Sequence, residues 1–322
     1  MAEARRGLRV LFWGTPDFGI PTLEAIRDGR HELVGVVTNP DRPAGRGRRV
    51  TTSAVKDWAS SAGLPVLQPE RPRGDEFVRA MSALAPDISV VAAYGQLLRE
   101  DILELPRHGS INVHASILPR LRGAAPVNWA IIRGDDEAGV SIMRMVLALD
   151  AGPVLRIARC PVGPDTTAGE LYARLSELGG GALAETLDDI AEGRAVETPQ
   201  DDDAATYAPK LDRATARLDW SADATELSRW IRGCDPWPAA WTTLDGEAVQ
   251  CFAPRPGPSG NEPAAGDAPP GTIVRAGSGE PLLVSTGSGL LEVGEVRPAG
   301  KRRMSAGEWV RGRREVAGAR FE

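Results

Sequence analysis

Along the first two hundred positions, short blocks of apolar residues alternate with longer segments whose apolar residues recur at helical spacing. Residues 8–13 (LRVLFW), 33–38 (LVGVVT), 88–93 (ISVVAA), 110–114 (SINVH) and 140–145 (VSIMRM) are brief and strand-like. Residues 18–27, 53–62, 75–84, 126–133 and 167–192 carry the helical pattern. Near-continuous apolar strands separated by helices predict an α/β domain with a mainly parallel sheet covered on both faces. Such a sheet binds its ligands outside the carboxyl ends of its strands.

After Gly193 the pattern changes. The run ETPQDDD from Glu197 is polar and without period, as a linker would be. One helix (223–232) and five short strands, at 241–244, 249–252, 271–275, 282–285 and 290–296, predict a small β-barrel beyond it. The predicted divisions are a catalytic α/β domain over 1–195, a linker over 196–212 and a barrel domain over 213–322. The Pro/Gly-rich stretch 253–270 (APRPGPSGNEPAAGDAPP) reads as a mobile loop.

Composition narrows the function classes. No apolar run is long enough to cross a bilayer, and the apolar block at 8–13 is too short for a secretory signal. A cytoplasmic monomer is expected. Three cysteines (Cys160, Cys234, Cys251) and three histidines, widely spaced, do not form a disulfide framework or a metal site. The net charge of −6 argues against blanket coating of nucleic acid, though it hides local patches.

Four segments could carry chemistry. Gly14-Thr15-Pro16-Asp17-Phe18-Gly19 occupies the place of a dinucleotide-binding turn without its glycine spacing, so it reads as a helix start with Asp17 capping free amides. Asp41-Arg42-Pro43-Ala44-Gly45-Arg46-Gly47-Arg48-Arg49 can be neither stable helix nor central strand, and reads as an exposed cationic loop: either a solvated charge run or a phosphate contact. Strand alternation puts Ser110, Asn112 and His114 on one face, and an Asn–His pair at a strand's carboxyl end favours function over a buried structural histidine. The loop 147–153 (LALDAGP) presents Asp150, which beside His114 would favour the imidazolium and fix its tautomer.

The segment INVHASILPRLRGAAPVNWAIIRGD, followed by GVSIMRM and LDAG, resembles the folate-dependent formyltransferases. FWGTPDFG, NPDRPAGRGRR, VVAAYGQLL, DPWPAAW and PAGKRRMS extend the resemblance over essentially the whole chain, toward the members that formylate methionyl-tRNA. The resemblance implies a Rossmann-like formyltransferase domain followed by a small OB-like β-barrel. It implies 10-formyltetrahydrofolate as donor, the methionine amino group of initiator methionyl-tRNA as acceptor, and no metal. Asn112, His114 and Asp150 match the catalytic positions. Val91, Ala92, Tyr94, Gly95, Gln96 and Leu97, with Ser116, Leu118 and Pro119, match the folate slot. Arg42, Arg46, Arg48 and Arg49 match the tRNA-binding insertion, Arg46 at the position of its most important arginine, and Lys210, Lys301, Arg302 and Arg303 would follow the tRNA's flank.

The chemistry implied is attack of an amine on a formyl carbon. Asn112 and a protonated His114 would each donate a hydrogen bond to the oxyanion, contributing about 3–4 kcal/mol apiece. Asp150 would help route the amine proton to the leaving nitrogen. A formyltransferase for a purine intermediate or a nucleotide sugar would keep the three groups but need neither the arginine loop nor a basic barrel. A non-catalytic RNA-binding relative would tolerate their loss.

Overall fold

The computed structural model describes residues 7–44, 49–257, 268–313 and 316–322. By packing, the chain forms two compact units: Met1–Pro126, Glu137–Pro161 and Tyr172–Pro209 make the first, and Val127–Asp136, Val162–Leu171 and Lys210–Glu322 the second.

The chain opens with β1 (Arg9–Gly14), α1 (Ile20–Asp28), β2 (Glu32–Val37), the short β3 (Arg42–Ala44) and β4 (Arg49–Thr51), α2 (Ala54–Ser61), β5 (Val66–Leu67) and α3 (Asp75–Ala83). β6 (Ile88–Ala92), α4 (Glu100–Leu103), β7 (Ser110–His114), β8 (Arg122–Gly123) and α5 (Pro126–Arg133) follow. Next come β9 (Glu137–Arg144), β10 (Val154–Pro161), α6 (Ala168–Ala191) and β11 (Tyr207–Ala208). Seven strands form one sheet in the order β10-β9-β7-β6-β1-β2-β5. β5, β2, β1, β6 and β7 run parallel, while β9 and β10 are antiparallel at one edge. Leu11, Trp13, Val37 and Val91 pack from the sheet against Phe77, Met81 and Ile102.

Two glycines let α6 approach β7 and α1 closely. Gly179 in α6 lies where a β-carbon would sit 2.9 Å from Val113 of β7, and one on Gly180 would sit 2.8 Å from the Pro21 carbonyl. Glycine in a helix interior costs about 1 kcal/mol relative to alanine, and here that cost permits the close approach of helix to strand. Asp17, predicted as a cap, instead accepts from the Tyr172 hydroxyl at 2.8 Å, and that hydroxyl accepts from the Phe18 amide at 3.0 Å. The cap of this turn is therefore a residue more than 150 positions away.

In the second unit α7 (Ala224–Cys234) is capped by Asp223, which accepts from Thr225 N. β12 (Trp241–Leu244), β13 (Glu247–Pro256), β14 (Ile273–Arg275), β15 (Leu282–Ser285), β16 (Leu290–Pro298), β17 (Met304–Ser305) and α8 (Ala306–Arg311) follow. The strands form an antiparallel sheet, β12-β13-β16-β15-β14 with β17 on β16, curled as a half-barrel. Trp220 stacks on Phe321 at 5.4 Å beneath it.

The stretch predicted as a loop from residue 253 begins instead as strand, because β13 runs on to Pro256 and pairs Pro254 with Val293 and Pro256 with Leu291. There β13 has a neighbour on one side only, so a proline whose missing N–H faces the open edge forfeits no ladder bond. The rest of that stretch, 258–267, lies outside the described residues.

Candidate active site

β7 delivers its groups at the carboxyl edge of the parallel strands, between β6 and β9. Ile111 and Val113 are buried, as the alternation requires, and Asn112 is half-buried. His114 Nε2 lies 3.0 Å from the Leu121 carbonyl. A carbonyl only accepts, so Nε2 carries the hydrogen and donates it, which leaves Nδ1 as the free position of the ring. Nδ1 faces Asp150 Oδ2 at 3.7 Å, too long for a direct hydrogen bond. In the neutral ring Nδ1 is thus a lone pair, and in the imidazolium an N–H, open to a group that enters between them. The Asn112 amide makes no hydrogen bond among the described residues.

The loops that hold this constellation are themselves tied down. Asp150 Oδ2 accepts from the Gly123 amide at 2.8 Å. Gly123 has φ 117°, and a β-carbon there would lie 2.9 Å from the Ala208 carbonyl, so only glycine fits. β8 pairs in parallel with β11, Arg122 with Tyr207 and Gly123 with Ala208. Thr206 adds two bonds: its Oγ1 accepts from the Leu121 amide at 3.0 Å and its carbonyl from the Arg122 amide at 2.8 Å. The Leu121 carbonyl that orients His114 is therefore fixed by residues predicted to be linker.

The segment matched to the folate slot follows β6. Val91 and Ala92 are buried at the strand end, and the Tyr94 ring turns into the core, edge-on to Trp13 at 5.4 Å. Burial pushes the Tyr94 phenol up to about 12, so it stays neutral. Any contact this tyrosine makes with a ligand therefore comes from its backbone. Its carbonyl is held by the Asn39 amide at 2.8 Å, and Asn39 Oδ1 accepts from Gln96 at 2.6 Å. The backbone amides of Gly95, Gln96, Leu97 and Leu98 have no acceptor among the described residues. Leu97 projects outward, 82% exposed. Free amides beside an exposed apolar side chain suit a flat heteroaromatic ring with hydrogen-bonding edges. Across the site, Ser116 Oγ donates to the Arg120 carbonyl at 2.6 Å, Leu118 is buried, and Pro119 follows a cis peptide bond.

The arginine segment is a two-stranded ribbon, β3 on β4, separate from the main sheet. Arg42 is exposed, within 3.6 Å of Glu70. Arg46 and Arg48 lie outside the described residues, and Arg49 is described as backbone in β4. The ribbon's base is anchored: Asp41 accepts from Lys56 and from Gln68, which holds its carboxyl below the usual range. In the second unit Lys210 and Lys301 are exposed, and Arg302 meets Glu308 at 2.6 Å. Arg303 is engaged differently. It bonds both oxygens of the buried Asp235 at 3.1 Å, meets Glu295 at 2.5 Å and lies over the Phe252 ring at 4.1 Å.

Sequence reasoning missed Asn39, Gln200 and Thr206. Each is a lone polar residue in a turn or an aperiodic run, and only its distant partners give it meaning.

The fold and site define a class. The model of the family described as formyl transferase matches residues 8–187, and that of the formyl transferase C-terminal domain matches residues 210–314. The chain belongs to the formyltransferase family and is an enzyme of that kind. Within the family it groups with the methionyl-tRNA formyltransferases. It is 46% identical to that of Desulfotalea psychrophila over 93% of this chain and 91% of the relative. It is also 46% identical to that of Methylococcus capsulatus over 94% of this chain and 96% of the relative. Among solved structures, HypX from Aquifex aeolicus in complex with tetrahydrofolic acid shares the fold with a TM-score of 0.65 at 18% identity. That match covers 94% of this chain and 47% of HypX.

Proposed function

We propose that this chain transfers the formyl group of 10-formyltetrahydrofolate to the amino group of initiator methionyl-tRNA, giving N-formylmethionyl-tRNA for translation initiation, with Asn112, His114 and Asp150 as its catalytic residues. The observation that carries the assignment is the free Nδ1 of His114, aimed at Asp150 across 3.7 Å beside an unengaged Asn112 amide. Relatives named for the same reaction over more than nine-tenths of the chain support the substrate pair, and tetrahydrofolic acid bound to HypX supports the donor.

In this reading the methionine nitrogen attacks the formyl carbon and the carbonyl oxygen becomes an oxyanion. Asn112 donates to it, and the Nδ1–H of His114 donates a second, charge-assisted bond. The nitrogen must lose a proton as the new C–N bond forms. Asp150 Oδ2, opposite Nδ1, takes that proton, which then passes to N10 of the folate as the old C–N bond breaks. The free amides of residues 95–98 bind the edge of the folate ring. The arginine ribbon, Lys210, Lys301 and Arg302 take the RNA phosphates. Arg303 serves the second unit's own packing. In this reading the enzyme acts as a monomer in the cytoplasm; none of the helices among the described residues is long and apolar enough to cross a membrane.

The test is transfer of labelled formyl from 10-formyltetrahydrofolate to charged initiator tRNA, with glycinamide ribonucleotide and an amino-sugar nucleotide as competing acceptors. Label should enter methionyl-tRNA. Label entering either small acceptor instead would overturn the reading.

A further inference from the structure

Asp150 has φ 49°, in the left-handed region, which a residue with a β-carbon adopts only where its surroundings impose it. A single side chain spans the backbone of that turn. The Gln200 amide nitrogen donates to the Asp150 carbonyl at 2.8 Å and to the Gly152 carbonyl at 2.7 Å. A primary amide has two hydrogens, so both bonds are made at once. Its oxygen is also occupied, accepting from Arg122 Nε at 3.1 Å and Nη2 at 2.8 Å. The guanidinium cannot accept and the carbonyls cannot donate, so the amide has one permitted orientation.

Arg122 is itself fixed. It is 4% exposed, its Nη2 meets Asp202 at 2.7 Å, and its backbone lies in the β8–β11 ladder. One residue further on, the Gly123 amide holds Asp150 Oδ2. Asp150 is thus gripped twice, at its carboxylate by Gly123 of that ribbon and at its backbone by Gln200, which the Arg122 side chain holds. Residues 196–199 are exposed, and Gln200 is the one turned inward.

We infer that Gln200 is a positioning residue for formyl transfer: its two N–H groups hold the left-handed turn that keeps the Asp150 carboxylate opposite Nδ1 of His114. The inference rests on the reading of Asp150 as a catalytic group. Without those donors the turn relaxes toward ordinary backbone angles, and Oδ2 swings away from the ring. A displacement of about 1 Å at a reacting group costs roughly 100-fold in rate.

The experiment compares kcat and KM in the full chain for Gln200→Ala, Gln200→Glu, Asp150→Asn and the double variant Gln200→Ala/Asp150→Asn, with Tm measured for each. Gln200→Glu keeps the acceptor for Arg122, and so the anchorage of the fold, but loses both donors. Both Gln200 variants should lower kcat by roughly 10- to 100-fold and leave KM for folate and for methionyl-tRNA within about twofold. In the Asp150→Asn background, Gln200→Ala should change kcat by less than about twofold, because the two act through one group. Wild-type kcat in Gln200→Glu would make Gln200 a mere anchor for Arg122 and overturn the inference. A full, independent loss from Gln200→Ala in the Asp150→Asn background would overturn it as well. If Asp150→Asn itself kept full turnover, the catalytic reading of Asp150 would fail. If Asp150→Asn collapsed and Gln200→Ala did not, only the role of Gln200 would.

Discussion

The loops around His114 and the arginine ribbon both present charged groups of the first unit, and they are built in opposite ways. Around His114 the supporting groups are fixed: Leu121 orients the ring, Gly123 the carboxylate, and Thr206 the backbone that does both. In the ribbon the base is anchored through Asp41 while Arg42 reaches into solvent. Bond-making chemistry rewards fixed geometry, since donors that need not reorganise stabilise developing charge most strongly. Contact with a phosphate chain rewards charge and reach, and tolerates side chains that order on binding. The difference teaches that fixed geometry and exposed charge here follow the tolerance of the two tasks.

The comparison breaks first at the rigid end. His114→Ala should lower kcat by about 10³-fold with little change in the affinity for either substrate. An active His114→Ala enzyme would mean that the fixed ring is structural. Asn112→Ala should follow at about 10²-fold, read as kcat in the same assay, because one uncharged oxyanion donor is lost.

At the exposed ribbon the expected effects are smaller and of another kind. Arg42→Ala and Arg46→Ala should raise KM for methionyl-tRNA several-fold, leave folate binding intact and flatten the salt dependence of tRNA binding by about one phosphate contact each. Equal loss of folate and tRNA binding would show the ribbon to be part of the scaffold.

Arg303 sharpens the comparison because it belongs to a basic cluster yet is bonded like a rigid element. Burial pushes the Asp235 carboxyl up while Arg303 pulls it back down. Arg303→Ala should therefore destabilise the fold by roughly 2 kcal/mol, leaving a buried carboxylate without its partner. Thermal unfolding should show that loss, with KM for tRNA unchanged. A raised KM at unchanged Tm would return Arg303 to the RNA surface.

The smallest effect concerns His31, whose Nδ1 accepts from the Leu8 amide at the start of β1. Its pKa is lowered from 6.5, chiefly by burial and against the pull of Asp188. The unfolded chain therefore takes up the proton first. The stability this group contributes is whole above the unfolded value and declines as pH falls through and below it. Urea midpoints between pH 8 and pH 5 should show the decline in the native chain and less of it in His31→Gln.

Much of the fold was legible in the sequence because period and burial coincide there. The strand at 110–114 and the helix at 126–133 were predicted over the residues where they occur, and α6 within a residue at each end. β10 was not seen, since Arg156 and Arg159 fall three residues apart, on opposite faces of a strand at the sheet edge, and break its apolar period. β8 and β11 are two residues each, too short to carry any period, and their pairing spans more than eighty residues. The site divides in the same way. Asn112 and His114 stood out as polar groups on an apolar strand. Gln200 sits in an acidic, aperiodic run that reads as linker, and Arg303 reads as one more basic residue until Asp235 and Phe252 are placed around it.

The central claim is that His114 and Asp150 act as a fixed pair on the formyl-accepting amine. Single-turnover transfer from 10-formyltetrahydrofolate to methionyl-tRNA by Asp150→Asn tests it most directly, because asparagine keeps an oxygen for the Gly123 amide and removes only the charge and the proton site. The rate should fall by about 10³-fold with both substrates still bound at wild-type affinity. A rate within a few-fold of wild type would contradict it.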